Sequence, residues 1–199
     1  MKYSFITIER EYGSGGTKVG RRLSEVSKVP CYGIEILEMV SQKYNISVER
    51  IGRYEETATN SLMYSLYMMS QVQNGNVNML SNEGRIFLEE QKTIQRLADA
   101  GEAIFLGHCA SEVLKDRDDV LNVFIHAELP DKKKRIAAEY GIPEGDVEST
   151  MKKFDKKRAN YYFANTGKKW DDLRRYDVVL DSSRLGIEGC VEFLEGALK

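Results

Sequence analysis

A glycine cluster sits between a run that reads as a strand and a run that reads as a helix, and this junction constrains the fold more than any other part of the chain. Tyr3-Ser4-Phe5-Ile6-Thr7-Ile8 is apolar and β-branched, the pattern of a buried strand. Gly13-Ser14-Gly15-Gly16 breaks it, and from Thr17 the residues Val19, Leu23 and Val26 recur at helical spacing. Such a junction suits phosphate: consecutive N–H groups and the positive end of a helix converge on an anion. The dinucleotide pattern G-x-G-x-x-G fails, because from Gly13 its third glycine falls on Lys18. The phosphate loop G-x-x-x-x-G-K-[ST] matches in part. With Gly15 as its second glycine, the first falls on Arg10, the lysine on Gly16 and the hydroxyl on Thr17. With Gly16 as the second glycine, the first falls on Glu11 and the last positions read Thr17-Lys18, in swapped order. We favour the first register. It places Thr17 at the helix start, where a hydroxyl can ligate Mg²⁺. It also leaves the loop without its lysine. Lys18 is rotated by ~100° around the helix, and Arg10, Arg21 and Arg22 are other sources of positive charge. The competing reading is a glycine-rich turn that binds nothing.

Further apolar runs alternate with helical patterns. Val29-Pro30-Cys31-Tyr32, Ala103–Leu106, Leu121–Ile125 and Val178–Leu180 read as strands. Between them the pattern predicts a helix through Ile34, Leu37 and Val40, and a Met-rich helix over Leu62–Val72 that ends at Asn74-Gly75-Asn76. A helix over Ile86–Ala100 stops at Gly101. One helix runs from Pro130 to Gly141, another from Pro143 to about Tyr162, and a closing helix carries Ile187, Cys190, Val191, Leu194 and Leu198. Apolar strands alternating with helices imply a parallel sheet covered on both faces, hence an α/β fold. The Met-rich helix is read as adaptable core or as a homodimer face.

Composition excludes several classes. The chain has 199 residues, 42% hydrophobic and 30% charged, with 29 Lys and Arg against 31 Asp and Glu. Length and apolar content predict one domain with a full core, and the near-neutral balance argues against a dedicated nucleic-acid binder. No apolar run reaches the ~18 residues of a membrane span, and Met1-Lys2, leading straight into the first strand, gives the expectation of no signal peptide. Cys31, Cys109 and Cys190 are widely spaced, form neither a disulfide framework nor a zinc pattern, and predict a reducing cytoplasm.

The chain resembles the bacterial cytidylate kinase-like family. Ile6-Thr7-Ile8-Glu9-Arg10-Glu11-Tyr12-Gly13-Ser14-Gly15-Gly16 looks like its opening. Val29–Tyr32, Phe105-Leu106-Gly107-His108-Cys109-Ala110 and Val123-Phe124-Ile125-His126-Ala127 look like its next strands. Asp155–Tyr162 with Thr166–Trp170 looks like its lid, and Tyr176–Ser183 like its last strand. The resemblance implies a three-layer phosphate-loop nucleoside-monophosphate-kinase fold: a five-stranded parallel sheet, a helical monophosphate lobe over about 34–100 and a lid over about 143–175. The implied reaction moves the γ-phosphoryl group of ATP, with Mg²⁺, to CMP or a related monophosphate. In that scheme Gly13, Ser14, Gly15, Gly16 and Thr17 cradle the donor phosphates, and Arg158 reaches the transferring group from the lid. Gly16 stands where conventional nucleotide kinases carry lysine, Gly33 where the family usually has Asp, and His108 where it usually has Arg.

Individual residues are weighed against plainer roles. Arg158 continues the stripe of Val147, Met151, Phe154 and Tyr161; it meets phosphate or pairs with Asp155, which we otherwise place at the substrate. Arg135, after the fourth strand, is assigned to the nucleotide, and Arg10 and Lys18 to catalytic charge. His108 meets an acceptor or is a hydrogen-bonded structural histidine. Trp170 covers a base or anchors its loop. Three functions compete: a kinase for a pyrimidine monophosphate, a nucleotide-binding protein without transfer, and a kinase with another small acceptor.

Overall fold

The computed structural model describes residues 3–51 and 82–198. Its elements are β1 (Phe5–Arg10), α1 (Gly16–Ser27), β2 (Cys31–Tyr32), α2 (Ile34–Tyr44), α3 (Asn82–Ala100), β3 (Ala103–Leu106), α4 (Ala110–Val113), β4 (Val120–His126), α5 (Leu129–Tyr140), α6 (Glu144–Thr166), a 3₁₀ turn (Leu173–Arg175), β5 (Val178–Asp181) and α7 (Ser182–Glu195). The Met-rich run Leu62–Val72, and with it the expected homodimer face, lies outside the described residues.

The strands form one five-stranded sheet in the order β2-β3-β1-β4-β5, parallel throughout, as expected. β1 is central, with Ile6 opposite Ile104 on one side and Leu121 on the other. Alternation along β1 divides its side chains between two faces. Ile6 and Ile8 join Val19 and Leu23 of α1 and Cys190, Val191 and Leu194 of α7 in one core layer. Phe5 joins Ile36 of α2, Ile94 of α3 and Phe105 in the other. Glu9 shares the side of Phe5 and Thr7, so the last but one residue of β1 is a buried carboxylate.

The boundaries differ from the sequence expectation at informative places. β1 ends at Arg10 rather than Ile8, because Glu9 and Arg10 continue the ladder beside Phe124 and Ile125. α7 begins at Ser182 rather than near Ile187: Asp181 caps it by accepting the Ser183 N–H at 2.9 Å, and a break at Gly186 separates this turn from the expected helix. All strand C-termini share one edge, so the turns after β1, β3 and β4 and the N-terminus of α1 meet there. In an open parallel sheet this is where ligands bind. Among the described residues no helix is long and apolar enough to cross a membrane.

Candidate functional site

The turn between β1 and α1 is held from outside. Ser14 Oγ donates to Glu11 O at 2.8 Å, Ser182 Oγ donates to Ser14 O at 2.6 Å, and the Arg135 guanidinium donates to Gly13 O. Asp155 accepts the Tyr12 N–H at 2.6 Å, and Lys132 Nζ donates to Glu11 Oε2 at 2.8 Å. Gly13 and Gly15 sit at φ +80° and +79°, conformations that a side chain would strain. Three of these anchors end on main-chain carbonyls, one on the Glu11 carboxylate and one on the Tyr12 amide, and they leave other amides of the turn over. The N–H groups of Gly13, Gly15, Thr17 and Lys18 have no acceptor among the described residues. The N-cap of α1 is Gly15, which has no side chain to fill that role, and the first turn carries no acidic residue. Unpaired amides at a helix start make an anion site.

Beside this turn lies a cleft of about 280 Å³, lined by Glu9, Arg10, His108, Lys157, Arg158 and Tyr161, among others. Arg158, on α6, donates to Arg10 O at 3.0 Å, pairs with Asp155 Oδ1 at 3.4 Å and lies over the Tyr12 ring. Burial and the neighbouring Arg158 charge lower the Arg10 guanidinium to about 10. Glu9 accepts Trp170 Nε1–H at 3.0 Å. At the far side, fully buried Glu90 of α3 accepts the Tyr161 hydroxyl at 2.6 Å and stands 3.2 Å from His108 Nδ1.

Burial raises the Glu9 carboxyl above 4.5, against the lowering by Arg10 and Trp170. In the window above 4.5 the folded chain therefore holds a proton that the unfolded chain has released, and stability falls as pH rises through the folded value. Glu35 has the opposite sign. Burial pushes it up, but Arg21 and the Gly33 N–H outweigh this and hold it at about 2, so its contribution is lost as pH falls from 4.5 toward 2. Glu9→Gln is expected to flatten the decline in melting temperature as pH rises above 4.5 and to leave the acid limb unchanged. Thermal melts across pH check this.

The predicted site residues divide into those that meet and those that do not. Gly13, Ser14, Gly15, Gly16 and Thr17 form the turn, Arg135 lies against it, and Arg10, Arg158 and His108 line the cleft. Lys18 does not join them: its ammonium pairs with Glu139 of α5 at 2.6 Å on an exposed face, as its rotation around α1 dictates. Asp155 is not at the cleft either; its carboxylate holds the Tyr12 amide and Arg158. Trp170 is 5% exposed and anchors its loop through Glu9 and an edge-to-face contact with Phe124, so it covers no base. Position 33, where the family usually has Asp, is the N-cap of α2, its N–H bound to Glu35. The sequence reading missed Glu9, Lys157, Tyr161 and Glu90. Glu90 was detectable: it falls on the buried stripe of Ile86, Ile94 and Ala98, where a carboxylate needs a reason.

No curated protein matches this chain. An uncharacterized protein from Eubacterium ventriosum superposes with a TM-score of 0.70 at 24% identity, covering 96% of this chain and 94% of that one. Shikimate kinase from Bacteroides thetaiotaomicron gives 0.54 at 13% identity, covering 96% of both chains. Shikimate kinase from Acinetobacter baumannii, in complex with shikimate, gives 0.50 at 13% identity, covering 98% and 95%. These likenesses establish the phosphate-loop kinase fold. A family model matches residues 5–184, which contain all five strands and every described helix but most of α7, and the chain therefore belongs to the cytidylate kinase-like family.

Proposed function

We propose that this protein transfers the γ-phosphoryl group of Mg·ATP to a nucleoside monophosphate, with CMP as the acceptor. The observation that carries the reading is the set of unpaired amides at Gly13, Gly15, Thr17 and Lys18, opening beside a cleft lined by Arg10 and Arg158. Phosphoryl transfer asks a protein chiefly for positioning and charge neutralisation. The amides would bind the donor phosphates and hold them in register. Arg135 would close over them from α5. Arg158 would meet the equatorial oxygens of the transferring group, and His108 would face the acceptor. A monophosphate acceptor with a second pKa near ~6 is already ionised and needs no general base.

Thr17 Oγ1 stands at the helix start and accepts from Arg10 Nε at 3.3 Å, keeping a second lone pair. Among the described residues no cluster of His, Cys, Asp and Glu could hold a metal by itself. That donor set fits Mg²⁺ arriving with nucleotide phosphates, which keeps several waters and takes few protein ligands. Bound there, Mg²⁺ would supply charge neutralisation at the β- and γ-phosphates.

A second reading has its own observation. The Glu90–His108 contact at the cleft would let an imidazole accept a proton from a hydroxyl acceptor, and the fold is shared with shikimate kinases, which act on a small alcohol. A panel of nucleoside monophosphates and small alcohols with Mg·ATP, scored for ADP release, tests both. Release specific to CMP supports the first reading, and release with an alcohol alone supports the second. Tight ATP binding with no release on any acceptor contradicts both and leaves a nucleotide-binding protein without transfer.

A further inference from the structure

The two departures of the glycine turn from the conventional phosphate loop are one exchange. In the favoured register the conventional loop has glycine at the position of Arg10 and lysine at that of Gly16. Folding brings these positions together, since Arg10 ends β1 and Gly16 opens α1. A Cβ on residue 16 would lie 2.6 Å from Arg10 Cβ and 3.0 Å from Arg10 Cγ, with Ile125 Cβ at 3.3 Å. Both Cβ positions are fixed by main chain, so no rotamer relieves the collision. A side chain at one position excludes a side chain at the other.

We propose that Arg10 is the phosphate-loop cation of this chain, moved from position 16 to position 10 by a reciprocal exchange of glycine and a basic residue, and that its guanidinium binds the terminal phosphates of ATP. This rests on the kinase reading above and names the residue that replaces the absent lysine. Three observations support it besides the exclusion. The Arg10 side chain leaves β1 toward the helix start, where Nε meets Thr17 Oγ1, and lines the cleft. Its far end lies over Gly107 after β3: a Cβ there would be 2.7 Å from Nη1, and Gly107 sits at φ +78°. The guanidinium is thus fixed where the turn meets the cleft. Arg10 forms no ion pair among the described residues, although it is largely desolvated and close enough to Arg158 for each charge to oppose the other. A cation in that state is stabilised by an anion, and a phosphoryl group between Arg10 and Arg158 meets planar donors from both sides.

The test measures affinity for Mg·ATP and for adenosine by calorimetry, with ADP release, in Arg10→Gly, Gly16→Lys and the double variant Arg10→Gly/Gly16→Lys. Arg10→Gly should weaken Mg·ATP roughly 10- to 100-fold, the loss of a charge-assisted hydrogen bond, and leave adenosine unchanged. Gly16→Lys alone should lower the melting temperature, because Arg10 occupies its space. The double variant rebuilds the conventional loop and should be folded and bind Mg·ATP at least tenfold tighter than Arg10→Gly. If Arg10→Gly does not fold, Arg10→Met keeps the bulk without the charge and should show the same selective loss. The exchange is overturned if folded Arg10→Gly or Arg10→Met binds Mg·ATP as the natural chain does. It is also overturned if the double variant binds no better than Arg10→Gly, or is no more stable than Gly16→Lys. A natural chain that binds no Mg·ATP overturns the kinase reading instead.

Discussion

Arg158→Ala is expected to lower kcat by roughly 10³-fold, the scale on which a guanidinium acts in phosphoryl transfer. Arg158 is half-buried, and its Nη1 holds Arg10 O and Asp155 Oδ1, so its head is already placed at the junction of turn and cleft. The structural loss is small by comparison. The partner Asp155 keeps the Tyr12 amide as a donor, and an ion pair of this partly exposed kind contributes about 1 kcal/mol or less. Turnover and folding therefore separate: steady-state rates should collapse while the urea midpoint barely moves. Arg158→Lys should not restore the rate, because an ammonium lacks the planar fork that engages two oxygens. A rate within tenfold of the natural chain would remove Arg158 from the transfer step.

Trp170→Ala is expected to destabilise the fold by about 3–5 kcal/mol, the usual result of deleting a large buried aromatic side chain. The indole packs edge-to-face on Phe124 of β4 at 5.2 Å, and Tyr176 Oη donates to the Trp170 carbonyl at 2.8 Å. Its Nε1–H is the hydrogen-bond donor to Glu9, which would then stand buried beside Arg10 without it. Trp170→Phe separates the contributions. It retains most of the packing and removes the donor, so a loss of about 1–3 kcal/mol is expected. Denaturant unfolding of both variants checks the pair. No loss in Trp170→Phe would mean that the hydrogen bond to Glu9 contributes nothing.

These residues also show what the sequence discloses and what it withholds. Apolar strands such as Ala103–Leu106 and the glycine turn were legible because periodicity and backbone freedom are local properties. The end of β1 was not, because Glu9 and Arg10 look like loop residues until Trp170 and Gly107 arrive from distant parts of the chain. The positions of Lys18 and Asp155 were not legible for the same reason: the sequence gives each a helix face, while Glu139 and the Tyr12 amide decide what they touch. Arg158 was legible because a cation on an apolar stripe is conspicuous, and both of its weighed roles fit one position, paired with Asp155 and lining the cleft. Gly16 read as a loss. Its meaning lay in space: a Cβ at this position would stand 2.6 Å from Arg10 Cβ, which no spacing rule contains.

The function proposed above stands or falls on the amides of Gly13, Gly15, Thr17 and Lys18 gripping a triphosphate. Calorimetric titration of the full chain with Mg·ATP, repeated with saturating inorganic tripolyphosphate, tests it most directly. Saturable binding to a single site, competed away by tripolyphosphate, is expected. Absence of heat at millimolar nucleotide, or binding that tripolyphosphate leaves intact, would contradict it.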